Sequence, residues 1–207
     1  IDDTLPLFSP GVTWANPRPD SNYIYALDPS KLRGDATVWI AGEQSLRDNT
    51  LTVRAYAEWR GTEQENALAG YNAIFTDNPD VILESISRYG KEFSCTRFYI
   101  DDYSDYYCKS LSQRLFNVEP THWGISSKER FIANLEAVLK AGLLHIPNDE
   151  TLVNQLLGFS YDLKSMENMG TRKIYLSGED DYIDALAMAC LSIRNNRKDW
   201  QDFISVW

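Results

Sequence analysis

The chain has 207 residues, of which 43% are hydrophobic and 13% aromatic. This length and composition predict one domain with a sizeable core and exclude disordered and collagen-like proteins. The 30 acidic and 20 basic residues give a net charge of −10, which argues against nucleic-acid binding unless basic groups cluster or metal ions intervene.

Targeting and redox signals are few. No apolar run reaches the roughly 18 residues of a membrane span, and no basic stretch leads into a hydrophobic one at the start, so we expect no membrane association. The three cysteines lack a CxxC spacing and are predicted to be reduced thiols in a cytosolic setting. Because the chain does not begin with methionine, we expect it to be a piece of a longer protein.

The first 21 residues hold four of the eight prolines and predict an extended arm or linker, with a single domain over residues 22–207. Three antiparallel strands are predicted next, at "NYIYALDPS", "ATVWIAGEQ" and "NTLTVRAYAEWRG". Helical spacing then runs from Glu63 to Arg88, divided at Asn78-Pro79.

Strands and helices alternate after this point. "TRFYIDD" and "VEPTHWGI" predict strands, "SDYYCKSLSQRL" predicts a helix with Ser104 as its cap, and "SSKERFIANLEAVLKAG" predicts a helix that begins at Ser126 or Ser127 and ends at Gly142. A short helix, a β-hairpin around "SMENMG" and a last helix from Asp180 to Ile193 complete the chain.

This order predicts an α/β fold: a mixed sheet of three antiparallel strands followed by parallel strands, with helices on both faces and a C-terminal hairpin, as in the ribonuclease H and retroviral integrase superfold. That fold brings three places together, namely the first strand, the end of the fourth strand and the start of the last helix. If this fold is right, carboxylates should appear at all three places.

Acids occupy all three places. Asp28 interrupts an apolar strand, and Asp101 ends another. Asp181 and Asp184 share a face at the start of the last helix, where Asp180 and Asp184 are also one turn apart.

Structural roles could account for each acid taken alone. Asp28 before Pro29 could open a turn, Asp101 or Asp102 could cap the following helix, and Asp180 and Asp181 could be stabilised by the helix dipole. The conjunction of all three places favours chemistry instead. His122 and His145 are isolated, and we expect structural roles for both.

Carboxylates that meet in a buried cleft repel one another unless cations neutralise them. Oxygen-only ligands favour Mg²⁺ or Mn²⁺. Two such ions, about 3.5–4 Å apart, would support phosphodiester hydrolysis. No GxxxxGK[ST] motif is present, so we expect no ATP hydrolysis by this piece alone.

Several stretches resemble one known family, the C-terminal nuclease domain of the terminase large subunit of tailed bacteriophages. "ALDPSKLRGDATVWIAG" is similar to its first motif, and "FYIDDYSDYYCKSLSQRL" is similar to its second, without the glycines that often follow the acid. "GISSKERFIANLEAVLKAGLLHIPNDETLVNQLLGF" resembles the linking region. "DDYIDALAMA" resembles the terminal Asp-Asp-x-x-Asp-Ala-Leu pattern, with Glu179 where a histidine is frequent.

The resemblance implies a metal-dependent endonuclease that cuts concatemeric viral DNA during packaging. It makes Asp28, Asp101 and Asp181 the catalytic metal ligands, with Asp184 as a further ligand or support. Asp102 competes with Asp101, and Asp180 with Asp181.

The resemblance also implies partners and a location: double-stranded DNA, an ATPase domain of the same polypeptide, the portal protein, the small terminase subunit and the host cytoplasm. Six basic residues flank the motifs and could hold phosphates without regard to sequence, but solvated surface charge is the favoured interpretation for any one of them. They are Lys31, Arg33, Lys128, Arg130, Arg172 and Lys173. Two rival interpretations stay open, a non-catalytic docking module of the packaging motor and a junction or repair nuclease of the same superfold.

Overall fold

A computed structural model describes residues 12–14, 21–29, 36–61, 74–90, 93–114, 116–147, 150–157, 159–162, 173–176 and 180–193. The predicted linker 1–21 falls largely outside these residues, as does the loop of the predicted hairpin. Four of the six proposed phosphate-binding residues are likewise not described at the side-chain level. They are Lys31, Arg33, Arg172 and Lys173.

Five strands precede the first helix in the described residues, and helices and strands then alternate as far as the pair β9 and β10. The strands are β1 (Val12–Trp14), β2 (Asn22–Asp28), β3 (Thr37–Gln44), β4 (Leu51–Arg60), β5 (Ile74–Phe75), β6 (Cys95–Asp101), β7 (Val118–Thr121), β8 (Leu144–His145), β9 (Phe159–Asp162) and β10 (Lys173–Leu176). The helices are α1 (Pro79–Gly90), α2 (Asp105–Gln113), α3 (Ile125–Lys140), α4 (Glu150–Leu157) and α5 (Asp181–Ala189), which continues as a 3₁₀ turn over Cys190–Ser192.

The central sheet has the order β1-β4-β3-β2-β6-β7, with β5 and β8 also paired to β4. Strands β2, β3 and β4 are antiparallel neighbours, whereas β6 joins β2 in parallel and β7 joins β6 in parallel. Strands β9 and β10 form the separate antiparallel hairpin. The predicted mixed sheet and hairpin are therefore confirmed.

Alternation along the strands builds two cores. Alternate side chains of β2, β3, β4 and β6 pack with α3, α4 and α5 on one face of the sheet, and the intervening side chains pack with α1 and α2 on the other. We call the face covered by α3, α4 and α5 the acidic face and the face covered by α1 and α2 the aromatic face. The predicted cover of helices on both faces is confirmed.

Local details explain where elements begin and end. Helix α3 begins at Ile125, where the Ser127 hydroxyl both donates to Gly124 O and accepts from Gly124 N. The same helix ends before Gly142, whose φ of 66° suits glycine. The prediction that Ile74 is helical was wrong, because Ile74 and Phe75 pair with Trp59 and Arg60 as a short parallel strand.

The structure also bears on the cysteines and on the length of the helices. Cys95, Cys108 and Cys190 are free thiols. None of the described helices combines the length and apolarity needed to cross a lipid bilayer.

Candidate metal-binding site

One edge of the central sheet collects the ends of four strands. Strands β2, β4, β6 and β7 run in the same direction, so their C-terminal ends lie side by side. Asp28 pairs with Val38, and Val38 pairs with Glu58. Leu27 lies beside Ile100, which puts Asp101 next to Asp28 in the register of β2 and β6.

The three carboxylates at this edge also share a face of the sheet. Because side chains alternate, each acid faces the same side as the residue two positions before it. Those three preceding residues all belong to the core beneath α3, α4 and α5. They are Ala26, Tyr56 and Tyr99. We call the row of Asp28, Glu58 and Asp101 the carboxylate edge.

Helix α5 begins above this edge because two side chains hold its first turn. The Tyr182 hydroxyl donates to Glu58 Oε2 at 2.7 Å, and the Tyr182 backbone N–H donates to Gln155 Oε1 at 3.1 Å. Asp181 is the preceding residue and is buried. The structure therefore brings the predicted acids of the two strands and of the last helix to one end of the acidic face.

The four predicted metal ligands are all buried despite their charge. Their exposed fractions are 7% for Asp28, 1% for Asp101, 9% for Asp181 and 6% for Asp184. Acidic side chains are rarely this buried unless they are paired or hold a metal. Asp101 Oδ1 accepts a hydrogen bond from the Tyr103 backbone N–H at 3.2 Å.

Asp184 has two oxygens in different surroundings. Oδ2 accepts from Trp123 Nε1 at 2.9 Å and from Lys128 Nζ at 2.7 Å. Oδ1 is buried and accepts no hydrogen bond from any described residue. Burial raises the pKa of Asp184 to about 6, and the charge of Asp180 adds to this, while Lys128 and Trp123 act in the opposite direction.

Lys128 links two of the carboxylates. Its ammonium lies 2.5 Å from Asp180 Oδ2 as well as 2.7 Å from Asp184 Oδ2. Burial acts to lower the pKa of Lys128, but the two negative charges and their hydrogen bonds outweigh it and raise the pKa above its ordinary value. The sequence suggested Lys128 as a phosphate contact, whereas here its partners are carboxylates.

The alternative metal ligands within each pair of adjacent acids differ in their environment. Asp102 is exposed and lies 3.2 Å from His122 Nδ1, whereas Asp101 is buried at the carboxylate edge. Asp180 is one-third exposed and contacts Lys128, whereas Asp181 is buried. These positions support Asp101 and Asp181 as the ligands, and the choice stays a prediction.

Sequence reasoning missed three residues that shape the site. Glu58 is 1% exposed and also accepts a hydrogen bond from Arg60 Nε. Its signal was an acid inside the apolar strand "VRAYAEWR", comparable to Asp28 in its own strand. Gln155 and Trp123 have no comparable signal, because their roles depend on contacts with residues 27 and 61 positions away.

The donor set fits a hard divalent cation, since the donors are buried carboxylate oxygens and Asp184 Oδ1 accepts no hydrogen bond from the described residues. The side chains are not gathered around a cation, however. Across the described ranges, no three His, Cys, Asp or Glu side chains lie close enough together to hold one metal ion. At the start of α5 the positive charge beside the carboxylates comes from Lys128.

Known proteins resemble the chain in sequence over a short stretch. No established family model matches it. The large terminase subunit of Thermus phage G20c is 36% identical over 64 residues, which are 31% of this chain. The match spans 13% of the length of that relative.

The structural likeness extends over most of the chain. The nuclease domain of the large terminase of Thermus phage P74-26 matches with a TM-score of 0.68 at 20% identity, covering 88% of this chain and 85% of the other. The large terminase nuclease of phage G20c, solved with bound magnesium, matches with a TM-score of 0.64 at 19% identity, covering 85% and 84%. The chain therefore has the ribonuclease H-like fold of these nuclease domains, and the resemblance noted in the sequence is confirmed at the level of the fold.

Proposed function

We propose that this chain is the nuclease part of a large terminase subunit and that it cleaves double-stranded viral DNA concatemers during genome packaging. The observation that carries the proposal is the arrangement of Asp28, Asp101 and the first turn of α5 at one end of the acidic face. The fold of the terminase nucleases and the short match to a large terminase subunit support it.

Two Mg²⁺ or Mn²⁺ ions are the proposed cofactors. Asp28, Asp101 and Asp181 would hold them, and Asp184 would add a ligand through its buried Oδ1. When bound, such ions activate a water molecule and stabilise the leaving oxygen of a phosphodiester. The magnesium-bound structure of the G20c nuclease supports a divalent cation.

The remaining residues of the site position these ligands. Glu58 and Gln155 fix Tyr182, and so hold Asp181 above the carboxylate edge. Trp123 orients the Asp184 carboxylate. A preorganised arrangement of this kind lowers the reorganisation needed when substrate binds.

DNA contacts are expected to be weak and independent of sequence. The net charge of −10 repels the phosphate backbone at long range, and neutralisation of the acids by cations would reduce that repulsion locally. Of the basic residues suggested by the sequence, Arg130 is exposed, and its guanidinium lies 5.3 Å from the Phe131 ring centroid. It is a candidate phosphate contact.

The proposal extends to the whole protein. We place residues 22–207 in the nuclease domain and residues 1–21 in a linker, although Val12–Trp14 pairs with β4. The proposed partners are the ATPase domain of the same polypeptide, the portal protein and the small terminase subunit, in the cytoplasm of the host cell.

Cleavage of supercoiled plasmid in Mn²⁺ tests the activity. We expect nicking by the wild type, loss of nicking in Asp28→Ala and Asp181→Ala, and retention in Asp105→Ala, which removes an exposed acid paired with Lys109. Nicking that survives both site substitutions would rule out this site.

Two outcomes would point to the rivals. The docking module has one observation in its favour, since the Lys128 ammonium contacts Asp180 and Asp184 directly and so gives these acids a structural role. A wild-type protein that folds but never cleaves DNA would favour it. Preferential cleavage of a four-way junction over linear duplex would favour a junction nuclease.

A further inference from the structure

Lys128 holds an unusual position between two helices. It belongs to α3, but its ammonium contacts Asp180 and Asp184 at the start of α5. The Lys128 side chain is 27% exposed and that of Asp184 is 8% exposed. The contact therefore places a partly buried positive charge beside a predicted metal ligand that is itself buried.

An ordinary surface ion pair on the same helix shows the difference. Lys140 pairs with Glu136 one turn away, with exposed fractions of 72% and 39%. Exposed pairs of this type contribute little to stability. Removing one partner of a buried pair leaves an uncompensated charge, which is strongly destabilising.

We propose that Lys128 is a built-in counter-ion that competes with the divalent cation for Asp184, so that metal binding displaces its ammonium. This inference rests on the proposed function, because it presupposes a metal site at the carboxylate edge. It goes further in assigning to Lys128 the task of neutralising the acids of α5 before metal arrives.

The contacts of Asp184 support competition. Oδ2 already accepts hydrogen bonds from Lys128 and Trp123, which leaves Oδ1 as the oxygen that no described residue contacts by a hydrogen bond. A cation bound at Oδ1 would sit a few ångströms from the ammonium, where two positive charges repel strongly in a buried site. The metal and the ammonium therefore disfavour each other, and the effect is reciprocal.

The first test measures Mn²⁺ binding to the DNA-free protein by isothermal titration calorimetry at pH 8. We expect Lys128→Met to bind Mn²⁺ roughly tenfold or more tightly than the wild type, because a repelling charge is removed. Lys128→Arg keeps the charge and should stay within about threefold of the wild type. Lys140→Met makes the same substitution on the same helix and should leave the affinity unchanged.

Thermal melts distinguish folding defects from competition. Without metal, in EDTA, Lys128→Met should melt roughly 5–10 °C below the wild type, because Asp184 is left uncompensated. Mn²⁺ should restore most of the lost melting temperature in Lys128→Met. In Lys128→Arg it should raise the melting temperature no more than it does in the wild type. A deficit that Mn²⁺ does not reduce would indicate a purely structural role and would overturn the proposal.

The outcomes separate this inference from the proposed function. If the wild type binds Mn²⁺ and Lys128→Met binds it equally or more weakly, the counter-ion role is wrong while the metal site stands. If the wild type binds no Mn²⁺, both fail. An Lys128→Arg variant that gains affinity as much as Lys128→Met would show that the charge is not responsible.

Discussion

The two faces of the central sheet come from the same strands but serve different ends. On the aromatic face, Tyr25 packs edge-on against Trp39 and Phe98 with ring centroids 5.1 and 5.5 Å away. On the acidic face, apolar residues give way to Asp28 and Asp101 where the strands end. Neighbouring residues, one facing each side, thus keep the charges that would bind metal on one face, at the end of its core, and away from the core of the other face.

This separation explains how the protein tolerates buried carboxylates. Burying unneutralised acids costs free energy, and the cost must be offset elsewhere in the fold. The aromatic face provides large apolar side chains that are almost fully buried, including Trp39 and Phe98. Substitutions on the two faces should therefore affect different measurable properties.

The largest expected effect concerns cleavage. Asp101→Asn should reduce Mn²⁺-dependent plasmid nicking roughly a thousandfold or more, because a neutral amide is a poor metal ligand and gives the cation no charge partner. Asp102→Asn is the matched variant and should stay within about threefold of the wild type, since Asp102 is exposed and contacts His122. Equal losses in both variants would leave the choice of ligand unsupported.

The next effect concerns stability. Phe98→Ala should lower the free energy of unfolding by about 3–5 kcal/mol in urea titrations, because Phe98 is fully buried against Tyr25 and Phe116. Its Mn²⁺ affinity in the folded state should match the wild type. Leu157→Ala, at a residue that is 78% exposed, should change stability by less than about 0.5 kcal/mol. A large loss of metal affinity in Phe98→Ala would break the separation of the two faces.

Much of the fold and of the acid positions could be predicted from the sequence. Asp28 and Asp101 are recognisable because each interrupts or ends an apolar strand, and the order of strands and helices fixes which ends meet. The start of α5 is recognisable from the acids that precede its apolar run. These signals are local in sequence, and the topology brings the residues that carry them to one end of the sheet.

Other features could not be predicted because they depend on distant contacts. The partners of Lys128 lie 52 and 56 residues away, and charge alone made it look like a phosphate contact. Glu58 interrupts an apolar strand as Asp28 does, but its role depends on the hydroxyl of Tyr182, which lies 124 residues away. The helical spacing that includes Ile74 is overridden by pairing with β4.

The pH dependence of stability should report on the acidic face. Burial raises the pKa of Asp184 to about 6, above its usual value, so the folded state binds more protons than the unfolded state between roughly pH 4 and pH 6. Stability should therefore fall as pH rises through this window, by roughly 2 kcal/mol in metal-free buffer.

Asp184→Asn isolates this contribution, because an amide cannot titrate. Urea unfolding in EDTA at pH 4.5 and pH 6.5 should show a smaller difference in Asp184→Asn than in the wild type. Saturating Mn²⁺ should stabilise the wild type at pH 6.5, because the cation favours the ionised form of Asp184. It should therefore reduce the difference in unfolding free energy between the two pH values. A difference that is the same in both proteins would assign the pH dependence to other groups.

The smallest effect concerns the link between β4 and α5. Tyr182→Phe keeps the ring, which packs against Tyr56 at 5.7 Å, and removes only the hydroxyl that donates to Glu58. Leaving Glu58 Oε2 without this hydrogen bond should cost about 1–2 kcal/mol of unfolding free energy. If the bond also positions Asp181, Mn²⁺ affinity should fall by roughly tenfold, as is typical when residues that orient ligands are changed.

The matched variant is Tyr25→Phe, which removes a buried hydroxyl that donates to Phe93 O on the aromatic face. It should lose a similar free energy of unfolding and no Mn²⁺ affinity. The two variants thus remove the same group, a tyrosine hydroxyl, on opposite faces of one sheet. Equal losses of affinity in both variants would mean that metal binding responds to general loosening of the fold, because the Tyr182 hydroxyl contacts the carboxylate edge whereas the Tyr25 hydroxyl contacts Phe93 O on the other face.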